Sequence, residues 1–136
     1  MCAALDALSS DRSVPLVTVV VPTLAADESL GECLESLRNQ SFRDFEIVVV
    51  DNSGRNLAQC GACVKVIRNS SNIGFGAAVN RAFHASHAPF LATLNDDAVA
   101  SPGWLGGLVE AMQSRRDVGM CASQVRLAGD GRLDSA

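Results

Sequence analysis

Aromatic residues are scarce in this chain, at 4% of its 136 residues, and lysine and arginine never cluster. Eleven basic residues against 15 acidic ones give a formal charge of −4. Binding nucleic acid by phosphate neutralisation needs the opposite balance, so that class is excluded. Charge is also too sparse for disorder: 19% charged and 48% hydrophobic describes a chain that collapses.

Long apolar runs are lacking as well. The longest, Val14–Leu24, is broken by Pro15, Thr18, Pro22 and Thr23, and falls short of the roughly 20 residues a bilayer span requires. Met1–Arg12 has no basic start leading into an apolar stretch, so it does not read as a secretory signal. Five cysteines (Cys2, Cys33, Cys60, Cys63 and Cys121) are an odd number without such a signal, and the expectation is reduced thiols in a cytoplasmic protein. Cys60-Gly-Ala-Cys63 could be redox-active or half of a zinc site, but a zinc site needs two more ligands and there is no second Cys pair to supply them.

Several catalytic signatures are missing. The dinucleotide pattern Gly-x-Gly-x-x-Gly fails at Val79, and no glycine lies between Pro22 and Ser29, which disfavours a dehydrogenase. There is no Gly-Lys-Ser/Thr phosphate loop and no Gly-x-Ser-x-Gly elbow. A receiver-like phosphotransfer domain needs acids after its first strand, where this chain has Pro22-Thr23-Leu24.

What is present alternates. The length suits one domain with a real core. Residues 1–13 read as a loosely ordered lead-in. Leu16–Val21 is a β-branched run of the kind buried on both faces of a parallel sheet, and Pro22 is expected to stop it. Asp27 is placed to cap a helix carrying Leu30, Cys33, Leu34 and Leu37. Glu46–Val50 and Val64–Ile67 read as the next strands, with an ambiguous Asn56–Ala62 between them that has some helical character.

Gly74 and Gly76 open a helix with Phe75, Val79, Ala82 and Phe83 on one face, and Phe90–Leu94 is a fourth strand. Ser101 and Pro102 start a helix with Trp104, Leu105, Leu108, Val109 and Met112 as its stripe. Val118–Val125 reads as a fifth strand. Phe75, Phe83 and Trp104 suit the core stripes better than a stacking platform, and His84 and His87 read as solvated. The alternation predicts an α/β fold, a mainly parallel sheet with helices on both faces.

Ligands of such sheets sit beyond the carboxyl ends of the strands. The four exits are Pro22-Thr23-Leu24, Asp51-Asn52-Ser53, Asn72-Ile73-Gly74 and Asn95-Asp96-Asp97, and they should converge on one edge. A carboxylate at Asp51 could accept bonds from a ribose diol or base N–H, or serve as a turn Asp bonding its own backbone. Backbone N–H groups at the Asn72–Gly76 helix start could face an anion. Asp96 and Asp97 are neighbours that need not converge, which argues against a glycosidase dyad. One carboxylate there could hold Mg²⁺ together with substrate phosphates, or the loop could be solvated acid and no more.

Six segments occur in a telling order: Val19-Val-Val-Pro-Thr-Leu24, Leu34-Glu-Ser-Leu-Arg-Asn-Gln40, Glu46-Ile-Val-Val-Val-Asp-Asn-Ser53, Asn72-Ile-Gly-Phe-Gly76, Leu94-Asn-Asp-Asp97 and Pro102-Gly-Trp-Leu105. Together they resemble glycosyltransferase family 2, notably its rhamnosyltransferase-like branch, from about Leu16 to Ala136. The resemblance implies a GT-A, Rossmann-like fold, a UDP- or dTDP-linked sugar donor and an inverting transfer to a saccharide or lipid-linked acceptor.

By the same resemblance Pro22, Thr23 and Leu24 line the base pocket, and Asp51 bonds the base or ribose. Asn72 and Gly74 close the nucleotide site, with Asn95 and Asp96 beside the donor. Asp97 matches the second acid of the family's Asp-x-Asp, the ligand of a divalent cation (Mg²⁺ or Mn²⁺), while Asn95 replaces its first acid.

The family's catalytic base lies well downstream of that motif, and the chain ends 39 residues past Asp97, so the base is expected beyond Ala136. Residues 14–136 therefore read as the donor-binding part of a truncated GT-A domain. The mean hydropathy of +0.18 fits apolar surface left bare by a missing acceptor half. A full-length enzyme with a lipid-linked acceptor would work at the membrane periphery. The alternative is a nucleotide-sugar-binding fragment or degenerate copy without catalysis.

Overall fold

The computed structural model describes residues 14–134, and the Met1–Ser13 lead-in lies outside them. Among them four strands and three helices follow in the order β1 Val17–Thr23, α1 Ser29–Arg38, β2 Phe45–Asp51, β3 Val64–Arg68, α2 Phe75–Ala85, β4 Phe90–Thr93 and α3 Trp104–Ser114, with no helix between β2 and β3. All strand pairs are parallel, in the order β3-β2-β1-β4. All seven residues of β1 are buried, which explains its unbroken apolar run: neighbours flank both edges and helices cover both faces.

Alternation along the strands sorts two cores. Val17, Val19, Val21 and Val49 pack with Leu34 and Leu37 of α1 and with Leu105 and Val109 of α3. Val20, Val48 and Val50 face the opposite way, against Ala78 and Ala82 of α2. Small alanines let α2 approach the sheet closely.

Several local expectations are corrected. Pro22 does not end β1, which runs on to Thr23. Its missing N–H falls on the side of β4, whose pairing stops at Val20↔Thr93, so no ladder bond is lost. Asn56–Ala62 contains no helix. Helix α1 starts at Ser29 with Glu28 at the cap position, and Asp27 instead accepts the Ser29 N–H at 2.9 Å and its hydroxyl at 2.5 Å. Helix α3 starts at Trp104 rather than Pro102, because Ser101–Gly103 form a turn closed by Trp104 N–H on the Ser101 carbonyl at 2.9 Å.

Val118–Val125 is not a strand. Only Val118 and Cys121 of that stretch are even partly buried, and it crosses α3 with Ser123 accepting the Trp104 indole N–H at 3.1 Å. Its end enters a single antiparallel bridge, Arg126 with Leu133, where Asp134 N–H donates to the Val125 carbonyl at 2.9 Å, but it joins none of the four sheet strands. Phe75 and Phe83, assigned to a core stripe, are 54% and 57% exposed, because the alanines between them meet the sheet instead. Trp104 does pack against the larger core. Among the described residues no disulfide joins Cys33, Cys60 or Cys121, and no helix is long and apolar enough to cross a membrane.

Candidate functional site

The ladders continue for one bond past the strands. Asn52 N–H donates to the Thr23 carbonyl at 2.8 Å, Asn69 N–H to Asp51 at 2.9 Å and Leu94 N–H to Val20 at 3.0 Å. Strand exits are thereby held side by side at the carboxyl edge. Between them opens a cleft of about 390 Å³, lined by Pro22, Thr23 and Leu24 from β1, Asn52 from β2, Asn72, Gly74 and Phe75 before and within α2, and Asp96 and Asp97 after β4. Ala26, Asp27 and Ser29 complete its rim. A smaller hollow at the other end of the sheet, beside Phe83, His84 and His87, gathers none of these exits.

One wall is the acid loop. Thr23 donates its hydroxyl to the Asp96 carboxylate at 2.6 Å while accepting the Ala25 N–H at 2.8 Å, so β1 orients Asp96 directly. Asp97 is exposed. Beneath them lies Cys33, whose thiol is pushed up to about 12 by burial and by the Asp96 and Asp97 charges. It stays protonated, and its S–H donates to the Asn95 carbonyl at 3.4 Å.

The opposite wall is the turn into α2. Asn72 accepts the Gly74 N–H at 2.9 Å, and Gly74 takes φ +84°, a conformation that glycine adopts without strain. Asn52 donates to the Gly74 carbonyl at 3.2 Å and accepts from the buried Asn69 amide at 2.6 Å. Arg81 of α2 in turn donates to Asn69 Oδ1.

Of the residues singled out by sequence, Pro22, Thr23, Leu24, Asn72, Gly74, Asp96 and Asp97 meet in the cleft; Asp51 and Asn95 do not line it. Asp51 is 1% exposed, and its two oxygens accept the Ser53 and Ala58 N–H groups at 2.9 Å each. Burial raises the pKa of this carboxyl, but hydrogen bonds from Ser53 and Ala58 and the nearby Arg68 charge outweigh that and hold it below the ordinary carboxylate range. Asn52 and Phe75 were not singled out as site residues. Strand parity was the usable signal for Asn52: Val49 and Asp51 face the α1 side, so Val50 and Asn52 face α2 and the cleft. Among the described residues no group of three or more His, Cys, Asp or Glu is arranged to hold a metal ion by itself.

The sequence profile of glycosyl transferase family 2 matches residues 18–134. The chain belongs to glycosyltransferase family 2. It is 33% identical over 121 residues to the uncharacterized glycosyltransferase MJ1057 of Methanocaldococcus jannaschii, covering 82% of this chain and 42% of that protein. Like fold is seen in the mannosyltransferase PcManGT of Pyrobaculum calidifontis, solved with GDP-Man and Mn²⁺ (TM-score 0.61, 22% identity, 80% of this chain, 37% of that one). It is seen also in S. aureus TarS 1-349 with UDP-GlcNAc (TM-score 0.59, 22% identity, 83% and 41%). This family 2 chain thus has the α/β sheet of GT-A glycosyltransferases and spans about two fifths of the length of these relatives.

Proposed function

We propose that this cleft binds a nucleotide-diphosphate sugar and that the chain serves transfer of the sugar, with inversion, to an acceptor hydroxyl. The observation that carries the reading is the meeting of a small polar pocket (Pro22, Thr23, Asn52, Asn72, Gly74) with two carboxylates (Asp96, Asp97) across one cleft. Membership of family 2, together with like-folded proteins that hold GDP-Man and UDP-GlcNAc, supports that donor class.

Pro22, Thr23, Leu24, Asn72 and Gly74 would contact the nucleoside. Asp51 would act from behind, fixing the Ser53–Ala58 loop with both oxygens. Asp97, with Asp96 beside it, would hold a divalent cation. Two carboxylates and the donor's phosphates suit Mg²⁺ or Mn²⁺, which needs few protein ligands. When bound, that cation offsets charge growing on the departing diphosphate. Asn95 contributes no charge there, so cation affinity in the absence of nucleotide should be low.

Val99 in the acid loop and Met120 beyond α3 are 68% and 87% exposed, apolar surface suited to cover by an acceptor-binding part. On this reading the 136 residues alone bind donor and do not transfer it, and the acceptor, saccharide or lipid-linked, is met on the cytoplasmic side.

The test is a thermal-shift and calorimetric screen of UDP-, dTDP- and GDP-sugars with and without Mn²⁺. One base should stabilise the protein selectively, by about 2.7 kcal/mol at a hundredfold excess over Kd. Asp97→Ala should remove the Mn²⁺-dependent share only. Identical, metal-independent responses in both proteins, or none in either, would defeat the reading.

A further inference from the structure

The loop from Asn95 to Gly103 carries both cleft carboxylates yet belongs to no helix or strand. No ladder fixes an irregular backbone, so its placement depends on individual bonds. Helix α1 and the residues after it supply them at both ends. Cys33 holds the Asn95 carbonyl as described. Ser36 Oγ accepts the Ala100 N–H at 3.0 Å. Gln40, just past the helix, donates Nε2 to the Ser101 carbonyl at 2.7 Å and accepts the Leu105 N–H on Oε1 at 2.9 Å.

Gln40 is fully buried, and its second amide proton reaches the Ser36 carbonyl at 3.2 Å. An amide in such a place is costly unless every bond is made, and here every one is made to the loop, to the start of α3 or to α1 itself. Packing alone would be served by leucine. The polar side chain is explained by what it grips.

We infer that Gln40 and Ser36 are positioning residues that set where Asp96 and Asp97 stand in the cleft. The inference rests on the donor-site reading for its functional consequence, and on the loop bonds alone for its structural one. Neither residue touches the cleft. Their role is to keep the acid pair in register with the opposite wall, where those carboxylates would hold a divalent cation.

The test compares Gln40→Leu, Ser36→Ala and Ser36→Thr with Val109→Ala, a core variant on α3 that removes no loop bond. UDP, dTDP and GDP are titrated calorimetrically with Mn²⁺ and with EDTA, and amide hydrogen exchange is followed across 95–105. Gln40→Leu and Ser36→Ala should lose about 10- to 100-fold of the Mn²⁺-dependent affinity, as when a metal's supporting bonds are cut. Their metal-free affinity should stay. Exchange should quicken at Ala100 and Leu105 while Val19–Val21 remain protected. Ser36→Thr, which keeps the hydroxyl, should restore both.

An intact Mn²⁺ increment in the two loop variants, or an equal loss in Val109→Ala, overturns the inference. If the wild type binds none of the three nucleotides, the donor-site reading fails, and exchange decides the positioning role: unchanged protection of Ala100 in Ser36→Ala refutes it. If Gln40→Leu does not fold, the Ser36 pair carries the test.

Discussion

The acid wall of the cleft and the wall formed by the turn into α2 are anchored differently. The acid loop is tied into the larger core: Ser36 and Gln40 reach it from a buried helix face, and Thr23 holds Asp96 from the central strand. The opposite wall is tied to the sheet by one line of side-chain amides, from Gly74 through Asn52 and Asn69 to an Arg81 whose side chain lies on an exposed position. Several anchors in a dry core leave a loop few alternatives, whereas a serial chain fails at its weakest link. The difference suits a division of labour in which carboxylates are preset and the nucleoside side adjusts.

The largest break in this contrast should come from Asn69→Leu. It removes the middle of the amide line and leaves the buried Asn52 carbonyl oxygen and the Gly74 wall without support, a loss of about 2 kcal/mol. Chemical denaturation reads the stability, and metal-free UDP or GDP affinity should fall with it. If stability drops while the nucleotide still binds unchanged, the amide line is scaffolding for the fold and not for the wall.

Acid should act on the same wall next. Asp51 has its pKa lowered in the folded protein, so its contribution is fully present above the unfolded value of about 3.9 and is lost as pH falls through the lower folded value. Below pH 4 the Ser53–Ala58 loop should loosen as its carboxylate anchor is protonated. Gly54, whose φ of +71° sets it against the Ser70 and Ser71 backbone, should pass that loosening to the turn before Asn72. Denaturation curves of wild type and Asp51→Asn between pH 3 and 6 check this: the variant should be less stable at pH 6 and lose less on acidification. Parallel slopes would remove Asp51 from the account.

The sheet was legible because buried parallel strands write themselves as β-branched runs, and Glu46–Val50 or Val64–Ile67 could be little else. The convergence of strand exits was legible for the same reason, since parallel topology alone brings Thr23, Asn52, Asn72 and Asp96 to one edge. What failed was whatever depends on partners distant in sequence. Val118–Val125 is apolar enough for a strand but has no ladder to join, and Pro22 breaks nothing because β4 has already ended beside it. Phe75 looked like core because its spacing is helical, yet the side of α2 that meets the sheet is set by Ala78 and Ala82. Gln40 was read only as part of a family segment. A buried amide announces its partners, Ser101 and Leu105, only once the fold has closed.

The smallest effect should come from Arg81→Met, and it sharpens the contrast most. Arg81 donates to Asn69 Oδ1 from an exposed position on α2, where water can take over the same acceptor. Losing it should cost about 1 kcal/mol or less, well under the loss from Asn69→Leu, because the donor is replaced rather than the acceptor orphaned. The methionine keeps the aliphatic reach along the helix, so packing changes little. Thermal denaturation at two salt concentrations separates charge from geometry: the part of the difference that persists at high salt belongs to the hydrogen bond, since Asn69 is neutral, and the part that salt removes belongs to the positive charge lost from a chain of net charge −4. A cost equal to that of Asn69→Leu would mean that water does not reach the end of the amide line. The nucleoside wall would then be anchored as firmly as the acid loop, and the proposed asymmetry of the cleft would disappear.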